Sequence, residues 1–171
     1  MSPEIDVHIA AAQWAKVDAL DALTRRCIEI SLEECAMSLA HDCEVSVVFS
    51  DNTEIQQLNA QWRGLNKPTN VLSFPTPGDL AQKKLLGDII IAYETVAQEA
   101  ADQKKSINAH VAHMVMHGFL HLLGYDHECD ADAQEMELME RRIAMKMGIK
   151  DPYASMDDEP NATRITPSYL T

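Results

Sequence analysis

Ser106-Ile-Asn-Ala-His110-Val-Ala-His113-Met-Val-Met-His117-Gly-Phe-Leu-His121-Leu-Leu-Gly124-Tyr-Asp-His127 is the stretch around which the rest of the chain must be arranged. Its spacing predicts a helix from Ser106 to about Leu123. Gly124 ends it, because glycine takes the left-handed backbone conformation that a helix exit often needs. At 100° per residue, His110, His113, His117 and His121 fall within an arc of about 80° and form one stripe. Ile107, Val111, Met114, Val115, Leu120 and Leu122 fill the other faces. Such a helix is mostly buried, so other elements must cover it. The stripe must open on something that satisfies imidazoles.

Working outward, Glu4 to Ala10 alternates around Ile5, Val7 and Ile9 and predicts a strand with one buried face. Ala15 to His41 predicts a long helix and Glu44 to Ser50 a second strand. Asp51, with Glu54 three residues on, has the spacing of a helix start, and that helix runs to about Trp62. Arg63 to Thr69 is a polar loop. Asn70 to Phe74 is a short extended segment ended by Pro75 and Pro77. Gly87 to Ala92 carries Ile89-Ile90-Ile91, an unbroken apolar run that suggests an inner strand. Tyr93 to Lys104 and Ala131 to Met147 are further helices. The order predicts an α+β domain over residues 1–150, with a small mixed four-stranded sheet, about five helices and its metal site on a helix in the C-terminal half. Residues 151–171 read as an extended or disordered tail.

The chain has 171 residues, 46% of them hydrophobic and 24% charged, which suits one globular domain. No run of 18 apolar residues reads as a membrane span. Met1 to Ala12 lacks the basic start and apolar core of a secretion signal, so the expected location is the cytoplasm. Cys27, Cys35, Cys43 and Cys129 form no Cys-x-x-Cys pair and read as reduced thiols. The net charge of −13 argues against a nucleic-acid partner when taken alone, since phosphate contacts need Lys and Arg. A divalent ion adds local positive charge that a residue count misses.

His117 and His121 are four apart, the spacing that lets two imidazoles from one helix bind one ion. The bend at Gly124 returns His127 as a third ligand. Three imidazoles leave a fourth position for water, the usual arrangement of a catalytic zinc site, and one Zn2+ is expected. A structural zinc would ordinarily fill all four positions; Cys129 is close in sequence but is expected to point elsewhere. Asp126 is either a partner for a ligand ring or a turn residue. His113 is either a helper near the metal or a buried histidine bonded to a backbone carbonyl.

The pattern shares three histidines and a glycine with the metzincin protease motif His-Glu-x-x-His-x-x-Gly-x-x-His. Gly118 stands where that motif has its general base, which disfavours peptide hydrolysis. A closer resemblance is to the YbeY family of bacterial rRNA maturation factors. His117-Gly-Phe-Leu-His-Leu-Leu-Gly-Tyr-Asp-His127 resembles one signature of that family. Asn59-Ala-Gln-Trp-Arg-Gly-Leu-Asn-Lys-Pro-Thr-Asn-Val-Leu-Ser-Phe-Pro75 resembles the other. Leu86-Gly-Asp-Ile-Ile-Ile91 is similar to its central strand, and Glu135, Met136 and Glu140 fit its last helix.

The resemblance implies a single-strand-specific, metal-dependent endoribonuclease. It would act in ribosomal RNA maturation, at the small-subunit RNA 3′ end, and in ribosome quality control. Its partners would be ribosomal RNA and the ribosome or its proteins, with no DNA and no membrane. It also implies His117, His121 and His127 as zinc ligands and Arg63 as a catalytic or RNA-contacting arginine beside His117 and His121. Asn70 departs from the Asp of many members, and a structural role there is favoured because both side chains accept hydrogen bonds. Lys67, Lys83, Lys84 and Trp62 are further candidates for RNA contacts. The competing classes are a metzincin-like zinc metallopeptidase and a non-catalytic ribosome-associated zinc protein.

Overall fold

In the computed structural model, which describes residues 2–154, four strands form one sheet: β1 (Glu4–Ile9), β2 (Glu44–Ser50), β3 (Val71–Pro75) and β4 (Leu85–Ala92). Their order is β1-β2-β4-β3. β1, β2 and β4 run parallel, while β3 runs antiparallel along β4. The five helices are α1 (Leu20–Cys35), α2 (Asn52–Arg63), α3 (Tyr93–Asp102), α4 (Ile107–Leu122) and α5 (Asp130–Met147). The architecture is the expected mixed sheet of four strands with five helices in an α+β domain.

The isoleucine run of β4 explains the layering. Strand side chains alternate between faces. Ile89 and Ile91 enter the main core with Val111, Val115, Phe119 and Ile28. Ile90 turns to the opposite face, where Ile55 of α2 packs with Leu72 and Ala92. β4 is therefore covered on both faces and lies between two strands, as an unbroken apolar run requires. α4 is buried along nearly its whole length. Ser106 caps it by accepting a hydrogen bond from Ala109 N.

The chain departs from expectation at three places. The helix read over Ala15–His41 is α1, Leu20–Cys35, preceded by a 3-10 turn at Ala12–Lys16. Ala19 and Ala36, at its two ends, both adopt left-handed conformations. Ile9, expected on a buried face, is 51% exposed. The tail expected from 151 onward lies outside the described residues from 155. Its first residues are packed, with Pro152 and Tyr153 buried.

Candidate metal and active site

α4 and the turn after it carry the site. His117 and His121 stand one helical turn apart, their rings edge-on with centroids 4.6 Å apart. Gly124 then takes φ +100°, a conformation few side-chain-bearing residues tolerate. The turn brings the His127 ring 5.6 Å from that of His117 and 5.0 Å from that of His121. One nitrogen from each of the three rings lies within 4.8 Å of the others. Cys129 is exposed and stands outside this group.

The hydrogen bonds decide which nitrogens face inward. His121 Nδ1 donates to the Tyr125 carbonyl at 2.9 Å. A carbonyl can only accept, so Nδ1 carries the proton and Nε2 of the neutral ring is a lone pair. His117 Nδ1 donates to Glu140 Oε1 at 2.7 Å, which leaves its Nε2 in the same state. The two Nε2 atoms stand 3.1 Å apart. Two lone pairs at that distance repel unless a proton or cation lies between them. His127 Nε2 is buried without a hydrogen-bond partner among the described residues. Nitrogens bound tetrahedrally at the usual zinc distance sit about 3.3 Å apart. The three nitrogens and the chemistry of the set fit a divalent metal ion.

Burial holds the His121 imidazole down to about 4, and the close approach of the His117 and His127 rings acts in the same direction. Glu140 sits at the centre of a buried network. It accepts from His117 through Oε1 and from His113 Nε2 through Oε2 at 2.8 Å, and Tyr153 Oη donates to the same Oε2. Burial alone raises its carboxyl, but the His117 and His113 imidazoles that donate to it outweigh that and hold it well below the usual carboxylate range. His113 thus bonds a carboxylate rather than a backbone carbonyl. Asp126 Oδ1 accepts from His127 N at 2.7 Å and so steadies the backbone that presents the third histidine.

Opposite the histidines, β3 and the end of α2 form the other wall of a cleft of about 490 Å³. It is lined by Arg63, Asn59, Ser73, His117, His121 and His127 among others. Gly64 ends α2 in a left-handed conformation. Arg63 Nη2 donates to Ser73 O at 2.8 Å, and its guanidinium lies 5.6 Å from the Phe74 ring centroid. The structure therefore brings Arg63 and the three histidines to one cleft. Lys67, Lys83 and Lys84 do not line it, and Lys83 donates to Thr76 O at 2.7 Å. Trp62 is 63% exposed and packs edge-on against Phe74. Asn70 is buried, its Oδ1 accepting from Val71 N and its Nδ2 donating to Glu99.

Gly118 is a packing glycine. A Cβ there would lie 2.8 Å from Ile89 Cγ2 and 3.1 Å from Ser73 Oγ, and that hydroxyl donates to Gly118 O at 3.2 Å. A glutamate at this position would be driven into the sheet. β3 is also poorly suited to pair with an added strand. Asn70 O and Thr76 N bond towards β4, so Val71, Ser73 and Pro75 turn their backbone groups outward. Val71 N–H is taken by Asn70 Oδ1 and Ser73 C=O by Arg63, while Pro75 has no N–H.

Sequence reasoning missed how Glu140 and Tyr153 join the site. Glu140 was legible in principle: a lone carboxylate among Met136, Ile143 and Met147 on the buried face of α5 requires partners.

Comparison with known proteins places the chain among its relatives. The family model described as Endoribonuclease YbeY matches residues 8–148. A protein named Endoribonuclease YbeY from Methylocella silvestris is 45% identical over 162 residues, covering 92% of each chain. One of the same name from Beijerinckia indica is 49% identical over 160 residues, covering 90% of this chain and 78% of that protein. A solution structure of a Thermotoga maritima protein is 24% identical and superposes with a TM-score of 0.54, covering 94% of this chain and 99% of the other. That likeness speaks to the fold.

Proposed function

The chain belongs to the Endoribonuclease YbeY family, and from that premise we propose that its histidine cleft is the RNA-cleaving site, with His117, His121 and His127 holding one Zn2+ and Arg63 contacting the scissile phosphate. The observation that carries this reading is the two inward-facing Nε2 atoms 3.1 Å apart beside a His127 Nε2 that has no partner among the described residues, in a cleft that also presents Arg63. The bound ion would supply charge neutralisation for the phosphate and a lowered pKa for water. Glu140 and the Tyr125 carbonyl hold the His117 and His121 rings with Nε2 turned inward. Arg63 offers planar donors to the phosphoryl oxygens as charge grows on them. Its Nη2 bond to Ser73 O holds the guanidinium itself against the cleft wall, with its other N–H groups available to the phosphate.

We assign the physiological substrate as single-stranded ribosomal RNA, at the 3′ end of the small-subunit RNA, with a part in ribosome quality control in the cytoplasm. A chain of net charge −13 has little electrostatic affinity for RNA, so the ribosome or its proteins would supply the remaining affinity. The metallopeptidase reading is disfavoured by the contact at Gly118 and by the outer edge of β3, where Val71 N–H and Ser73 C=O already have partners and Pro75 has no N–H. No helix among the described residues is long and apolar enough to cross a membrane.

The test is cleavage of a single-stranded RNA by the purified protein with and without a chelator, beside the Arg63→Ala and His121→Ala variants. Cleavage that stops with chelator and in both variants is the expected result. Equal cleavage in all samples would point to a contaminating nuclease, and loss in His121→Ala alone would leave Arg63 without its role.

A further inference from the structure

The residues just past α5 reach back to the centre of the molecule. Gly148 ends the helix in a left-handed conformation. The chain then turns through Asp151, whose Oδ1 accepts from Tyr153 N at 2.8 Å. Three contacts hold this turn down. Lys105 Nζ donates to Pro152 O at 3.2 Å, and Arg141 pairs with Asp151 at 3.5 Å. The Arg141 guanidinium also lies 5.5 Å from the Tyr153 ring centroid. Tyr153 is 2% exposed. Its ring packs edge-on to His113, with centroids 5.6 Å apart, and its hydroxyl donates to Glu140 Oε2.

Glu140 is fully buried and has two oxygens to place. Oε1 receives His117 Nδ1, while Oε2 receives both His113 Nε2 and Tyr153 Oη. A carboxylate is planar, so two donors on one oxygen also fix the direction of the other. The rotation of Glu140 sets the ring of His117, and that ring aims Nε2 into the cleft. We infer that Tyr153 is a positioning residue for His117: its hydroxyl locks the Glu140 carboxylate, and the docked turn 151–153 thereby sets the affinity of the histidine cluster for its metal. The functional unit on this account extends past the last helix. The inference rests on the reading of the three histidines as metal ligands, and it concerns affinity rather than turnover.

The experiment compares the full-length parent with Tyr153→Phe, Tyr153→Leu and Glu140→Gln. Zinc affinity is measured by competition with a chromophoric chelator, and the thermal midpoint is measured with and without zinc. Tyr153→Phe keeps the ring and deletes only the hydroxyl. Partners of metal-bound histidines control affinity about 10- to 100-fold, and Tyr153→Phe is expected near the lower figure, about tenfold weaker. Glu140→Gln should lose more, because an amide cannot accept from both imidazoles through both of its ends. The rise in thermal midpoint on adding zinc should shrink in Tyr153→Phe, and the d–d spectrum of its cobalt form should shift.

Three outcomes would overturn the inference. One is a Tyr153→Phe protein that binds zinc as tightly as the parent while Tyr153→Leu is merely less stable, which would make the ring a packing element only. Another is an equal fall in thermal midpoint with and without zinc at unchanged affinity. The last is a parent that binds no divalent ion, which would remove the metal reading along with the clamp. The first two leave the metal reading intact, so the two failures are told apart.

Discussion

Gly118→Ala tests a close approach between the site helix and the sheet. Two effects oppose each other. Alanine is better than glycine inside a helix by about 1 kcal/mol. Against that, the new Cβ meets Ile89 Cγ2 at 2.8 Å. Ile89 is fully buried in the central strand, and its branched side chain has little rotamer freedom with which to retreat. Overpacking of this kind costs about 1–3 kcal/mol. Taking about 2 for the clash, Gly118→Ala should lose about 1 kcal/mol net, which lowers the thermal midpoint by about 2–4 °C in a domain of this size. The decisive measurement is a double-mutant cycle by urea denaturation. Ile89→Ala removes both of the atoms crowding the new methyl apart from Ser73 Oγ. In that background Gly118→Ala should stabilise by about 1 kcal/mol, giving a coupling of about 2 kcal/mol. A Gly118→Ala effect of the same sign and size in both backgrounds would refute the claim that close approach, rather than backbone freedom, is why glycine stands there. Because α4 carries His117 and His121, the single variant should also bind zinc more weakly, and Gly118→Glu should lose folded protein rather than gain peptidase activity.

Arg63→Ala should reduce RNA cleavage by about 10²- to 10³-fold, the range for removing one donor to a developing oxyanion, with zinc content by atomic absorption unchanged. His127→Ala should leave the fold intact by circular dichroism, since the ring sits on a turn, but should lose stoichiometric zinc on dialysis. Cys129 should react with a thiol reagent in the native protein. Cys27 should react only on unfolding, because burial pushes its thiol up to about 12 and its S–H donates to Ala112 O. Native reactivity at Cys27 would show that the α1–α4 contact opens readily.

Where residue chemistry has a strong local requirement, sequence and structure agree. Ser106 and Gly124 bracket α4 because a cap needs a short acceptor and an exit needs a permissive backbone. The isoleucines of β4 mark the strand covered on both faces. His117, His121 and His127 converge because two share a helix face and the third follows the bend. The failures have equally definite causes. α1 is interrupted at Ala19 and Ala36, whose left-handed backbones carry no compositional signal. Apolar periodicity ran through both. The short acidic and proline-bearing segment at 151–153 read as the start of a tail because its burial depends on Lys105, Arg141 and Glu140, all distant or one-sided in the sequence. Glu140 itself entered only through a family likeness, since pairing across α4 and α5 is a long-range fact.

The outer rim of β3 has a further bearing on how the protein behaves at high concentration. Sheet margins with free backbone groups are where like chains stack into insoluble assemblies. Here that margin is shielded by Asn70, by Arg63 and by Pro75, so a side chain assigned to the chemistry doubles as a guard against self-adhesion. Replacing Arg63 frees the Ser73 carbonyl, and the Arg63→Ala protein should cloud at lower concentration than the parent even where its catalytic defect has been fully accounted for.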